Sequence, residues 1–197
     1  MEALRAEVRT QQAPSQAPTP SAARLDRHSV QTTAQGGERG DDGGKKIQGR
    51  TRHISGDVLG LWLVVFGSRA ARDDAVAAPQ GLKHLGLATS PRWAVLWADS
   101  TYQNQDLNAW LATASPGPWR LEVVRRPEGS KGFVLVPKRW VVERTLAWLG
   151  RCRRNSKDDA RRTDASESMR RISAIHLRLT RLQPSNVYRP FRYRDAA

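Results

Sequence analysis

The order of apolar and polar positions changes character along the chain. Ala22–Val30 is a short strand-like stretch with Leu25 and Val30 among its apolar members. Two apolar segments follow, around Arg52–Leu59 and Leu61–Phe66, with Gly60 between them, and their spacing predicts an antiparallel hairpin. Ala70–Leu85 has helical potential broken near Pro79. Arg92–Ala98, RWAVLWA, reads as a buried strand, because it is short, apolar and bounded by Pro91 and Asp99. Asn104–Ala114 predicts a helix ended by Pro116-Gly117-Pro118, Trp119–Val124 a further strand, and Phe133–Val136 a short extended stretch closed by Pro137. Lys138–Arg154 and Asp164–Leu182 carry the period of amphipathic helices. The Gly-rich, charged run at 34–46 is loop chemistry. Residues 1–21, rich in Gln, Pro, Ala, Ser and Thr, read as a disordered tail or linker with room for a short helix at Glu2–Val8, and 183–197 read as a C-terminal tail. Strands first, then alternating helices and strands, then helices predict one α/β domain over 22–182.

Composition narrows the class. The 197 residues are 39% hydrophobic and include seven Trp, which suits a folded core and excludes a wholly disordered or collagen-like chain. A single cysteine, Cys152, excludes an internal disulfide framework and a Cys-rich zinc site. The longest apolar run, Leu61–Phe66, is too short to span a bilayer, and the N-terminal stretch lacks the apolar core of a secretory signal. The expectation is a cytoplasmic protein with no membrane partner.

Charge adds a partner. The formal net charge is +14. Residues 1–119 carry a net +2 and residues 120–197 a net +12. Solubility alone rarely needs such asymmetry, whereas phosphate binding does, since each neutralised phosphate releases condensed counterions. DNA or another polyanion is the expected partner.

Three acids stand out by position. Asp99 ends the predicted buried strand, where α/β folds usually place their chemistry, although a turn or helix-capping aspartate fits the same spot. Asp26 sits in a strand-like stretch, and an exposed strand residue is its bland reading. Glu143 lies in a helix of largely apolar neighbours and shares a face with Trp140 and Ala147. A carboxylate there calls for a cation or a metal, and Arg139 at i−4 supplies the weaker orientation of a local ion pair. Acids from two strands and a helix suit Mg²⁺ or Mn²⁺, and paired ions of this kind support in-line phosphoryl transfer.

The segment PKRWVVERTLAWLGRCRRNSKD resembles the C-terminal signature of bacterial insertion-sequence transposases of the DDE class, in the superfamily of insertion sequences four and five. SAARLDRHSVQTT, GGERGDDGGKKIQGRTRH, DVLGLWLVVF and VLWADSTYQN resemble further family stretches in the same order, so that the resemblance spans roughly residues 20–182. It implies an RNase H-like fold, a mixed five-stranded sheet flanked by helices. It implies Asp26, Asp99 and Glu143 as the catalytic, metal-binding acids converging on Mg²⁺ (or Mn²⁺). Arg139 would contact phosphate or position Glu143, and Arg144, Arg151, Arg153, Arg154 and Lys157 would lie along DNA. Asp57 matches an acid that the family carries at the hairpin, outside the catalytic three. Arg27-His28 after Asp26, Ser100-Thr101-Tyr102 after Asp99 and Ser55-Gly56 before Asp57 depart from the usual family residues.

The resemblance starts at the linker before the first catalytic strand. The chain is therefore expected to be a second-frame product or a decayed fragment, without the upstream helical domain that recognises terminal repeats. An upstream-frame DNA-recognition polypeptide and a homodimer on DNA are the implied partners. Three readings follow: a transposase domain that cuts and joins DNA, a basic DNA-binding remnant that does not cut, and a general metal-dependent nuclease.

Overall fold

The computed structural model describes residues 1–34, 37–70, 74–83, 92–114, 120–125, 127–129, 132 and 140–183. In chain order the elements are α1 (Glu2–Gln12), β1 (Ala22–Gln31), β2 (Gly40–Asp42), β3 (Ile47–Gly56), β4 (Trp62–Arg69), α2 (Asp74–Lys83), β5 (Val95–Ala98), α3 (Gln105–Ala114), β6 (Arg120–Val123), α4 (Trp140–Gly150), α5 (Arg153–Ser156) and α6 (Thr163–Leu182). A 3-10 turn over Ser100–Tyr102 follows β5. The extended stretch expected at Phe133–Val136 and the tail beyond Gln183 lie outside the described residues.

The five principal strands run in the order β4-β3-β1-β5-β6. β3 is antiparallel to β1 and β4, whereas β5 is parallel to β1 and β6 parallel to β5. This is the RNase H-like mixed sheet that the resemblance implies, with the three-residue β2 added beside the start of β3. Gly49 lets β3 come close to β1, since a Cβ there would lie 1.9 Å from the Val30 carbonyl oxygen.

Helices cover both faces. On one side Ala23, Leu25, Leu96 and Ala98 pack with Ala78 and Leu82 of α2 and Leu107 and Leu111 of α3. On the other, Ile54, Trp62 and Val65 pack with Leu149 of α4 and Ala174 of α6. Alternation along each strand sends odd positions of β1 to the first face and Arg24 and Asp26 to the second.

Two elements differ from the sequence expectation. Residues 2–12, in the stretch read as a tail or linker with room for a short helix at Glu2–Val8, form a longer helix that packs against α6, with Val8 fully buried and Arg9 at 3% exposure. An ion pair from Arg9 to Asp57 anchors it, a long-range contact that composition does not register. The helix expected over Lys138–Arg154 ends at Gly150 in a turn, and α5 restarts at Arg153.

β3 lies between β1 and β4 and is buried from Gly49 to Gly56, although its sequence is rich in polar residues. Arg50 donates to the carbonyls of Glu38, Ala160 and Arg161 at 2.7 Å each, and Arg52 to Asn155 and Lys157 at 2.5 and 3.3 Å. The strand thus buries guanidinium groups by spending them on the backbone of the segment around α5, in line with the requirement that buried polar groups be hydrogen-bonded.

Candidate active site

β1 and β5 build the site. Their last rung pairs Arg24 with Trp97, and both side chains lie on the α4 face, with the Arg24 guanidinium 5.0 Å from the indole centroid. Asp26 and Asp99 each stand two residues further on, at matching positions of neighbouring parallel strands and on that same face. They line one cleft with Arg24, Leu25, Trp97, Ala98, Val124 and Val142. Both carboxylates are half-buried.

Local hydrogen bonds fix each acid. Asp26 Oδ1 accepts from the Arg27 amide at 2.8 Å. Asp99 caps the 3-10 turn, with Oδ1 accepting the Thr101 amide at 2.9 Å and the Thr101 hydroxyl. The capping role anticipated for Asp99 and its place in the cleft therefore coexist, because one carboxylate oxygen serves the turn and the other remains for further bonds.

α4 supplies the third wall. Its buried stripe is Val141, Val142, Thr145 and Leu149. Val142 reaches the cleft, whereas Glu143, about 100° further round the helix, is exposed. The face shared by Trp140, Glu143 and Ala147 is thus the solvent side, not an apolar seam. Among the described residues no three His, Cys, Asp or Glu side chains lie close enough together to hold a metal ion. The structure brings Asp26 and Asp99 together, whereas Glu143 is exposed and does not line their cleft. Two hard oxygen donors on one wall fit Mg²⁺ or Mn²⁺, which takes one or two protein carboxylates and keeps water or substrate oxygens elsewhere.

The cations divide. Arg151, Arg153, Arg154 and Lys157 are exposed around the turn between α4 and α5. Arg139 lies outside the described residues. Arg144, expected on DNA, is flanked by the indoles of Trp140 and Trp148 at 4.4 and 4.7 Å, because i−4 and i+4 neighbours share its side of the helix. Trp148 also carries Arg181 at 4.7 Å, tying α4 to α6. Burial lowers the Arg24 pKa, with Asp57 opposing and Arg144 reinforcing the shift. His28, two residues beyond Asp26 on its face, is likewise lowered, first by burial and then by Arg52 and Lys45.

Sequence reading missed the buried pair beneath this basic segment. Asp158 is 3.2 Å from Arg50 and 3.5 Å from Arg170, and it accepts the Ser166 hydroxyl at 2.5 Å. Desolvation, followed by repulsion from Arg52, pulls the Arg170 pKa down to about 10. The only signal in the sequence was an acid closing a run of cations, Arg153 to Asp158.

Residues 17–177 match the family described as "Transposase DDE domain". The chain belongs to that family. No curated protein matches it in sequence. Among solved structures, the catalytic core domain of BIV integrase shares 12% identity, with 85% of this chain and 86% of that one covered and a TM-score of 0.43. A chain of the simian T-cell lymphotropic virus intasome, in complex with PP2A regulatory subunit B56 gamma, shares 14% identity over 90% of this chain and 59% of that one, at a TM-score of 0.49. Neither lends a residue role to this transposase domain. The family acts on DNA and normally uses divalent metal ions, and no helix among the described residues is long and apolar enough to cross a membrane.

Proposed function

We propose that this transposase domain performs metal-dependent DNA strand cleavage and strand transfer, with Asp26 and Asp99 as metal-holding acids and Glu143 as the third. The observation that carries the reading is the placement of Asp26 and Asp99 side by side in one cleft. A divalent ion bound there supplies activation of a water or 3′-hydroxyl and charge stabilisation at the phosphate. The chain's own residues do the rest. Asp99 is held in orientation by Thr101, and Asp26 by the rigid central part of the sheet. Val142 and Trp97 wall the cleft with apolar surface. Arg151, Arg153, Arg154 and Lys157, with Arg139 just before α4, hold the phosphate backbone. Bacterial cytoplasm is the site of action in this reading, with a homodimer on DNA and an upstream-frame recognition polypeptide as its partners.

A second reading, a DNA-binding remnant that does not cut, is favoured by one observation, the exposure of Glu143 away from the cleft lining. Thermal melting with and without Mn²⁺ separates the two. The wild type should gain stability with metal, and Asp26→Asn and Asp99→Asn should each lose most of that gain. Equal gains in all three would put the ion elsewhere and overturn the assignment.

A further inference from the structure

The turn joining β3 to β4 is the point at which two of the three acid-bearing elements, β1 and α4, meet. Its carbonyls are taken one after another. Asp57 accepts from Arg24 of β1 at 3.2 Å, Leu59 from Arg181 of α6 at 3.2 Å, and Trp62 from Arg178 at 2.5 Å, while the Gly60 carbonyl takes only the weaker, 3.3 Å branch of the Thr145 hydroxyl of α4, which also donates to Val141 O at 2.7 Å. Inside the turn, Asp57 Oδ1 accepts the amides of Leu59 and Leu61 at 2.9 and 2.8 Å. Gly60 has φ +75°, and a Cβ there would stand 2.6 Å from Thr145 Oγ1, so the turn and α4 touch backbone to side chain.

The other oxygen of Asp57 belongs to Arg9. Arg9 Nη1 donates to Oδ2 at 2.5 Å, with the two residues 3% and 0% exposed. The remaining nitrogens of Arg9 reach Ala17 O at 3.3 Å and Gln16 Oε1 at 3.4 Å. Arg9 lies in α1, outside the residues that match the family. Asp57 also offsets the lowered pKa values of Arg24, Arg178 and Arg181 and, after Glu2, that of Arg5, each of which is depressed first by burial.

Two register facts link this turn to the site. Arg24 hydrogen-bonds it two residues before Asp26, and Thr145 packs directly against its Gly60 two residues after Glu143. Whatever fixes the turn therefore fixes β1 against α4. We propose that α1 is a brace for the acidic site, in which Arg9 is a positioning residue that acts through Asp57 and the β3–β4 turn to set Glu143 relative to Asp26. This rests on reading those two residues as site acids, while its decisive test reads the backbone.

Hydrogen–deuterium exchange on the full chain compares wild type, Arg9→Met and Arg9→Lys. Methionine keeps the apolar stem that packs in α1 and removes the charge, whereas lysine restores the charge. Arg9→Met should speed exchange about tenfold or more at 57–62 and at 140–146, and leave α3 at 105–114 unchanged, since α3 packs on the opposite face. Arg9→Lys should return part of the protection. Combined with Asp57→Asn, Arg9→Met should add nothing further at 140–146. Faster exchange confined to 1–21, a uniform rise that includes α3, or additive effects in the double variant would each overturn the brace. Mn²⁺-induced melting gives the functional side, and Arg9→Met should show a smaller gain than wild type with Asp26 and Asp99 intact. Absence of any gain in wild type sinks the metal reading, while the exchange pattern still decides the brace.

Discussion

Arg50 and Asp158 meet at 3.2 Å although 108 residues separate them, and each side chain is 1% exposed. Around this pair the sheet and the basic segment are sewn together. The Asp158 amide donates to Gln31 O at 2.9 Å, and Arg50 and Arg52 take the carbonyls of residues 155, 157, 160 and 161. The exposed cations Arg153, Arg154 and Lys157 therefore project from a backbone pinned to β3, not from a loose tail.

Removing the carboxylate should be severe. Asp158→Ala leaves Arg50 and Arg170 buried without their shared counter-ion, and breaking a buried pair from one side costs about 3–5 kcal/mol. Urea unfolding measures it. A loss below about 1 kcal/mol would mean that the backbone carbonyls alone satisfy Arg50, and that the ion pair is incidental to the fold.

The exposed cations give a graded test on DNA. If Arg151, Arg153, Arg154 and Lys157 each neutralise one phosphate, the log–log salt slope of non-specific duplex binding is at least about −3.6 from these four. Arg153→Ala with Arg154→Ala should flatten it by about 2. Arg144→Ala should behave differently, because its guanidinium is held between Trp140 and Trp148. It should lower stability by about 0.5–2 kcal/mol through lost cation–π contact and leave the salt slope nearly unchanged. A drop of a full unit in the slope would return Arg144 to the DNA surface.

The parts of the molecule legible in the sequence are those written in local pattern. The hairpin around Gly60, the buried strand before Asp99 and the long final helix all follow from period and punctuation. The fold of 22–182 emerges from their order. What period cannot carry is a contact between distant polar residues. Arg50 and Arg52 look like solvent residues in a strand, yet they are buried because carbonyls 103–111 residues away receive them. Arg9 is similar. Its helix is polar overall and reads as a tail until Asp57 is seen opposite it. The acids show the same limit. A strand end pointed to Asp99 and the family resemblance to Asp26, which lies in mid-strand, but the outward turn of Glu143 depends on which stripe of α4 meets the sheet, and that is set by Val142 and Thr145 against β1 and Gly60.

Glu143 is thus the residue whose role is most open to a single substitution. It is exposed in the first turn of α4, one position after a residue that lines the cleft. Glutamine has the same shape and still hydrogen-bonds, so Glu143→Gln should change metal-free stability by no more than about 1 kcal/mol, the range of exposed charge interactions. It lacks the negative charge that a hard divalent ion requires. DNA binding should persist with an unchanged salt slope, while Mn²⁺-dependent nicking of a plasmid should fall at least about 100-fold. These two readouts separate a lost metal ligand from a lost DNA contact, since a DNA contact would weaken binding and cleavage together. Retained nicking would restrict the metal site to Asp26 and Asp99, with substrate oxygens completing it, and would make Glu143 a surface residue of α4. Lost binding with proportional loss of nicking would assign it to the DNA interface, where a carboxylate is a poor phosphate partner and would have to act by ordering a neighbouring cation such as Arg139.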